Sequence, residues 1–351
     1  MSDILLEILI PTYNRTDRAI EAIQSCLSVN DSRIGIFCHS NGKDSKLELF
    51  SLKQPGVRYG YFDINQGPIK NGEKLLKNSI GRFCMILSDE DKIHSLNTKK
   101  LLDFLEAYDQ KFAVVNCGIL NLENNETYFT PFPLNKSAIT FKEALLTRPT
   151  QISYLSGYIY NTKILHKINF DYYLKESLGN SYSFINIAHK LLEHGKQGLF
   201  HDTIILMGKR ATKGGHSFEH IVEETTMNIK LNHDVVGAKA RARQFFYMHK
   251  TARTINIILF AKFLLYDLEL LRDALRGLMI ANFESGHDDN IYEETKKALN
   301  EAIDEQEYFS NWASIAFYQI VKYDKISFSI PILKSIIKLV TRINNQRIKL
   351  L

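Results

Sequence analysis

Phe83-Cys84-Met85-Ile86-Leu87-Ser88-Asp89-Glu90-Asp91 is the stretch on which the reading of this chain turns. Five apolar residues in a row fit a strand buried on both faces, the pattern of a parallel sheet covered by helices. Three carboxylates then crowd the point where such a strand should surface. Acids this close repel one another unless a positive charge sits among them. A hard divalent cation, Mg²⁺ or Mn²⁺, suits oxygen ligands and keeps open positions for phosphate oxygens. The triplet therefore reads as a metal–diphosphate site. The plain alternative is an acidic turn on a solvated surface, and the surrounding sequence decides between the two.

Upstream, Ile4 to Ile10 is an apolar run interrupted by Glu7, and Pro11-Thr12-Tyr13-Asn14-Arg15 breaks it at the end where open α/β sheets place ligands. Thr16 or Asp17 can cap a helix with Ala19, Ile20, Ala22, Ile23 and Cys26 on one face. Ile34 to Cys38 forms a second strand ending in Ser40-Asn41-Gly42-Lys43-Asp44. Val57 to Phe62 forms a third, followed by Asn65-Gln66-Gly67, Asn71, and a helix expected from about Gly72 to Ile80, closed by Gly81. Strand, loop and helix alternating in this way predict a doubly wound parallel sheet.

Ile8-Leu9-Ile10-Pro11-Thr12-Tyr13-Asn14-Arg15, Ser40-Asn41-Gly42-Lys43-Asp44, Asn65-Gln66-Gly67, Asn71, Gly81 and Ser88-Asp89-Glu90-Asp91, in that order, resemble the nucleotide-binding half of a family 2 glycosyltransferase. A fainter likeness runs to about residue 220. The resemblance implies a GT-A fold: an α/β catalytic domain with a Rossmann-like, mostly parallel sheet over residues 1–220, and it leaves a helical C-terminal domain over 221–351. It also implies transfer of a sugar from a nucleoside-diphosphate donor, with a UDP-sugar favoured, to a hydroxyl acceptor, with Mn²⁺ or Mg²⁺ and inversion at the anomeric carbon. The acidic triplet stands at the DxD metal motif of such enzymes, in which Asp91 takes the metal, Asp89 the ribose or the metal, and Glu90 either points away or meets the sugar beside Ser88.

Charge developing on a leaving diphosphate is what a bridging metal stabilises, which is why the chemistry needs these groups. Pro11, Thr12, Tyr13 and Arg15 line the expected nucleotide pocket. Tyr13 either packs on the base or serves ordinary packing, and Arg15 pairs with a phosphate or with a neighbouring carboxylate. Relatives often begin the loop after the second strand with an acid that holds the base. Here Ser40 stands in that place, with Asn41 or Asp44 as substitutes. Asn65, Gly67, Lys70 and Asn71 form a loop toward the donor, where glycine admits the backbone and Lys70 either meets phosphate or is solvated.

Three further places bear on the chemistry. Gln151 to Tyr160 is strand-like with Ser156-Gly157 inside it, either a bulged core strand or a spot where a sugar lies close. Lys213-Gly214-Gly215-His216 offers His216 as a further metal ligand, in line with the resemblance, or as a surface histidine. Inverting relatives carry an acidic pair about a dozen residues before a glycine, yet counting back from Gly195 reaches Ser183-Phe184, with no acid. A base must lie within hydrogen-bond reach of the acceptor hydroxyl. Asp171 and Glu176 are the nearest acids, and His189 follows.

No run of about eighteen uncharged apolar residues appears, and the first residues enter a strand, so the expected location is cytoplasmic. Cys26, Cys38, Cys84 and Cys117 lack CxxC spacing and read as reduced core residues. After about residue 220 the periodicity turns helical. In Ile330 to Leu351, Leu333, Ile336, Ile337, Val340 and Ile343 share one face beside Lys334, Lys338 and Arg342. Such a helix either lies on anionic lipid at the inner membrane face, suiting a glycan or lipid-linked glycan acceptor in bacterial surface-polysaccharide assembly, or packs on its own domain or a twin subunit. The net charge of +5 is spread along the chain without an aromatic stacking platform, which argues against nucleic acid. A rival of another class is a non-catalytic relative that binds sugar nucleotide or glycan, which the missing acidic pair favours and the intact triplet opposes.

Overall fold

The computed structural model describes residues 4–108, 111–122, 125–129, 136–140, 154–170 and 183–208, with positions 331, 332 and 335. The chain divides into two compact units, Met1–Lys175 with Ile187–His220, and Glu176–Asn186 with Ile221–Leu351. The helices expected between residues 219 and 323 lie outside the described residues, as does the amphipathic segment 330–351 apart from those three positions.

In chain order the first unit runs β1 (Leu6–Thr12), α1 (Thr16–Leu27), β2 (Ile34–Ser40), α2 (Ser45–Leu52), β3 (Val57–Tyr61), α3 (Gly67–Lys77), β4 (Phe83–Ile86), β5 (Lys92–Ile93), α4 (Ser95–Ala107), β6 (Phe112–Asn121), β7 (Glu126–Phe129) and β8 (Ala138–Ile139). A 3₁₀ turn at Leu155–Gly157 then leads into β9 (Tyr158–Asn161) and α5 (Thr162–Leu165). α6 (Ser183–Leu192) precedes the long β10 (Lys196–Met207). The sheet order is β3-β2-β1-β4-β9-β6-β10-β5, with β7 on β6 and β8 on β10.

β1 to β4 are mutually parallel, and β10 is parallel to β6. β9 runs antiparallel to both β4 and β6. The sheet is thus mostly parallel, as expected, with β9 the antiparallel strand at its centre. The reason lies in where the chain enters β9: the Leu155–Gly157 turn sits at the end where β4 finishes, since Ser88 N donates to Ser156 Oγ at 3.0 Å. A strand starting there can only run back. That entry carries the turn to the acidic triplet. It also places Ser156-Gly157 ahead of the strand rather than in a bulge within it.

β1 is buried along almost its whole length, as its apolar run requires. Glu7, which interrupts that run, is itself fully buried and neutralised by Arg58 at 2.7 Å, while Ile80 N donates to its other oxygen at 2.6 Å. α3 begins at Gly67 rather than Gly72 and ends at Lys77. Pro68 explains the early start: its fixed φ and missing N–H suit a first helical turn. Gly81 is required by close approach, because a Cβ there would lie 2.7 Å from the Phe83 carbonyl and 2.8 Å from Glu7 N. All four cysteines are free and buried, as expected.

Candidate active site

Strand order reverses between β1 and β4, because β2 and β3 lie on one side of β1 and β4 and its successors on the other. Open α/β sheets bind ligands in the crevice at such a point, outside the carboxyl ends of the strands. Pairing of β1 with β4 covers Leu6 to Leu9, and the last bond across runs from Leu87 N to Leu9 O at 2.8 Å. Pro11 lies just beyond, where its lack of an N–H costs no bond to β4. Asn14 adopts φ 54°, a left-handed conformation that asparagine tolerates, and so turns the chain from β1 into α1. The Pro11–Arg15 segment and the acidic triplet therefore face one crevice.

Ser88 to Asp91 is a tight turn closed by Asp91 N donating to Ser88 O at 2.9 Å. Its first two acids share one set of partners. Thr12 Oγ1 donates to Asp89 Oδ2 at 2.8 Å, and Arg15 Nη1 reaches Asp89 Oδ1 at 3.1 Å and Glu90 Oε1 at 2.7 Å. Arg18 stands 3.9 Å from the same Glu90 oxygen. Arg15 thus meets the neighbouring carboxylates, one of its two expected partners. The positive charge that the triplet demands is thus supplied in large part by the protein itself. Asp89 is 6% exposed, and burial raises its pKa against the pull of Arg15 and Thr12.

Asp91 meets different neighbours. Tyr154 OH donates to Oδ1 at 2.7 Å, Ser156 Oγ to Oδ2 at 2.7 Å, and Gly208 N to Oδ1 at 3.2 Å. No cation among the described residues pairs with it. Only 1% exposed, it is pushed up to about 6 by burial, with the tyrosine and serine hydroxyls pulling the other way. Asp91 is one oxygen ligand of the kind a hard divalent cation takes, while no group of three or more His, Cys, Asp or Glu among the described residues is placed to hold a metal ion.

The other expected residues divide between the crevice and its framework. Tyr13 is half-buried, and its ring edge lies over Gly42, where a Cβ would be 3.6 Å away. Asn41 ties the loops together: its N–H donates to Thr12 O at 2.8 Å, its Oδ1 accepts from Gln66 N at 2.8 Å, and its Nδ2 donates to Asn65 Oδ1 at 2.5 Å. Asn65 Oδ1 also accepts from Gly67 N at 2.9 Å. Asp44 caps α2 through Leu47 N and accepts from Thr16 Oγ1 at 2.5 Å. Gly67, Lys70 and Asn71 lie in the first turns of α3 rather than in a loop. Asn71 is buried, bonded through both amide atoms to His39, whose pKa burial lowers, and Lys70 is exposed. Asp171, Glu176 and His216 lie outside the described residues. His189 falls within α6.

Sequence reasoning missed Tyr154 and Gly208 as partners of Asp91. A Cβ on Gly208 would sit 1.9 Å from the Glu90 carbonyl oxygen, so only glycine lets the end of β10 lie on the acidic turn. The neighbouring Ser156-Gly157 pair was visible, but its hydroxyl could be matched to Asp91 only through the fold.

A mostly parallel, Rossmann-like sheet with an acidic turn at its switch point defines the GT-A class of glycosyltransferase folds. Residues 7–167, just under half of the chain, match the family described as glycosyl transferase family 2. An uncharacterized glycosyltransferase of Rickettsia felis is 32% identical over 108 residues, 30% of this chain and 18% of that protein. Another from Rickettsia typhi is 27% identical over 128 residues, 36% of this chain and 40% of that protein. The chain thus matches well under two thirds of the length of either relative. Among solved structures, the mannosyltransferase PcManGT from Pyrobaculum calidifontis, in complex with GDP-Man and Mn²⁺, is 12% identical with a TM-score of 0.50, covering 92% of this chain and 87% of that one. That likeness shows the fold. Among the described residues, no helix is long and apolar enough to cross a membrane.

Proposed function

We propose that this chain transfers a sugar from a nucleoside-diphosphate donor to a hydroxyl acceptor, with a divalent cation at Asp91. The observation that carries the reading is Asp91 itself: a buried acid at the switch point of a domain that matches glycosyl transferase family 2, held by Tyr154, Ser156 and Gly208 N and paired with no cation among the described residues. Bound there, Mn²⁺ or Mg²⁺ would neutralise charge on the departing diphosphate. His216, outside the described residues, is the proposed further ligand that would help hold the cation. Arg15, already anchored on Asp89 and Glu90, presents a preorganised guanidinium at the same crevice, and Tyr13 over Gly42 offers a flat wall for the nucleobase. Asn41 and Asn65 hold the surrounding loops in place rather than reading the base.

Asp171 or Glu176 is the proposed base that removes the acceptor proton, with inversion at the anomeric carbon. Residues 1–220 form the proposed catalytic domain and 221–351 a helical one. A glycan or lipid-linked glycan acceptor in surface-polysaccharide assembly, handled at the inner face of the cell membrane, suits this reading.

Thermal unfolding with a panel of nucleoside diphosphates and nucleotide sugars, each with and without Mn²⁺, tests the proposal without a known acceptor. A manganese-dependent rise in melting temperature with one base family, lost in Asp91→Asn, is the expected result. No shift with any nucleotide would move the assignment to a non-catalytic relative of the fold.

A further inference from the structure

A chain of buried amides reaches the Asp91 partners from deeper in the sheet. Asn116 on β6 and Gln197 on β10 are both buried. They project to one face, because Gln197 pairs with Val114, two residues before Asn116. Gln197 Nε2 donates to Asn116 Oδ1, and Asn116 Nδ2 donates to the Gly157 carbonyl at 3.0 Å. Two buried amides in these strands cost desolvation that leucine or valine would not, and bonding recovers that cost only when every partner stays in place. Their far end is the Leu155–Gly157 turn. Gly157 N donates to Tyr154 O at 3.1 Å, while Ser156 Oγ accepts from Ser88 N at 3.0 Å and donates to Asp91 Oδ2 at 2.7 Å.

We propose that Asn116 and Gln197 are positioning residues, which moor the Gly157 carbonyl to the sheet so that Tyr154 and Ser156 meet the Asp91 carboxylate and the acidic turn keeps its place. Neither side chain is bonded to Asp91; both act through the turn. The consequence for donor binding rests on the metal reading of Asp91 given above, whereas the mooring itself rests on the hydrogen bonds alone.

The test uses the full chain with near-isosteric substitutions. Asn116→Asp sets a carboxylate against the Gly157 carbonyl, and Gln197→Glu sets one against Asn116 Oδ1, each with almost no change in volume. Should either variant fail to fold, Gln197→Met removes the distant donor more gently. Asn161→Asp is the control: Asn161 is buried to the same degree as Gln197 and donates to the Phe112 carbonyl at 3.1 Å, away from the turn. Residue-resolved hydrogen exchange on metal-free protein should show the Ser88 and Gly208 amides exchanging at least about tenfold faster in the Asn116 and Gln197 variants, and at the native rate in Asn161→Asp. Native protection in both positioning variants, or equal loss in the control, would overturn the proposal. Mn²⁺ titration of the same proteins, read by water-proton relaxation, should show weakened binding in N116D and Q197E and none in D91N. If wild type and D91N hold Mn²⁺ alike, the metal reading fails, and the exchange rates still decide the mooring.

Discussion

Asp89 and Asp91 stand two positions apart on one turn, and their neighbours give them different work. Asp89 is balanced by Arg15, so Arg15→Met should leave a buried carboxylate unpaired and cost about 3 kcal/mol in denaturant unfolding. Adding Asp89→Asn should recover part of that loss; strictly additive effects would show that the pair is not coupled. Asp91 keeps its proton up to about 6 when folded, above the ordinary carboxylate value of 3.8. The folded chain therefore binds that proton more tightly than the unfolded chain. Stability from this group is full below a pH of about 4 and is lost as the pH rises through about 6, some 3 kcal/mol in all. Asp91→Asn should remove the slope, with variant minus wild-type stability rising across that window and level above a pH of about 7. A parallel pair of stability curves would contradict the assignment.

At the scale of elements, β10 bears on the site from both ends, through Gln197 near its start and Gly208 just past its finish. A side chain at residue 208 must push the Glu90 carbonyl away. Gly208→Ala should cost about 1–3 kcal/mol by overpacking and weaken Mn²⁺ binding together with stability. Unchanged melting and metal affinity would mean that the two loops part without consequence. The strands up to β4 and α1 were legible because an uninterrupted apolar run or a 3.6-residue apolar period is written locally. α3 starts five residues before the expected Gly72, because Pro68 suits a first helical turn, a role that proline shares with loops. β9 could not be oriented from its own residues, because strand direction depends on where the preceding turn lands.

For the whole molecule, ligand binding to the folded state alone should raise stability by mass action, by about 2.7 kcal/mol at a hundredfold excess over the dissociation constant. The melting shift from a matching nucleoside diphosphate with Mn²⁺ should therefore grow with the logarithm of its concentration and vanish when a chelator is added. A shift that survives the chelator would assign donor binding to Arg15 and the loops rather than to a cation.

Taken alone, the residues determined the class of fold, the crevice and the acids that line it, because hydrophobic period, turn residues and clustered charge are local properties of the chain. Only the tertiary structure decided which acid lacks a counter-charge among the described residues. Arg15 comes from the end of β1, Tyr154 and Ser156 from the turn before β9, and Gly208 from the end of β10, all distant in sequence from residues 89–91. Charge balance and burial are set by neighbours in space, so the separate surroundings of Asp89 and Asp91 come into being only when those four segments meet.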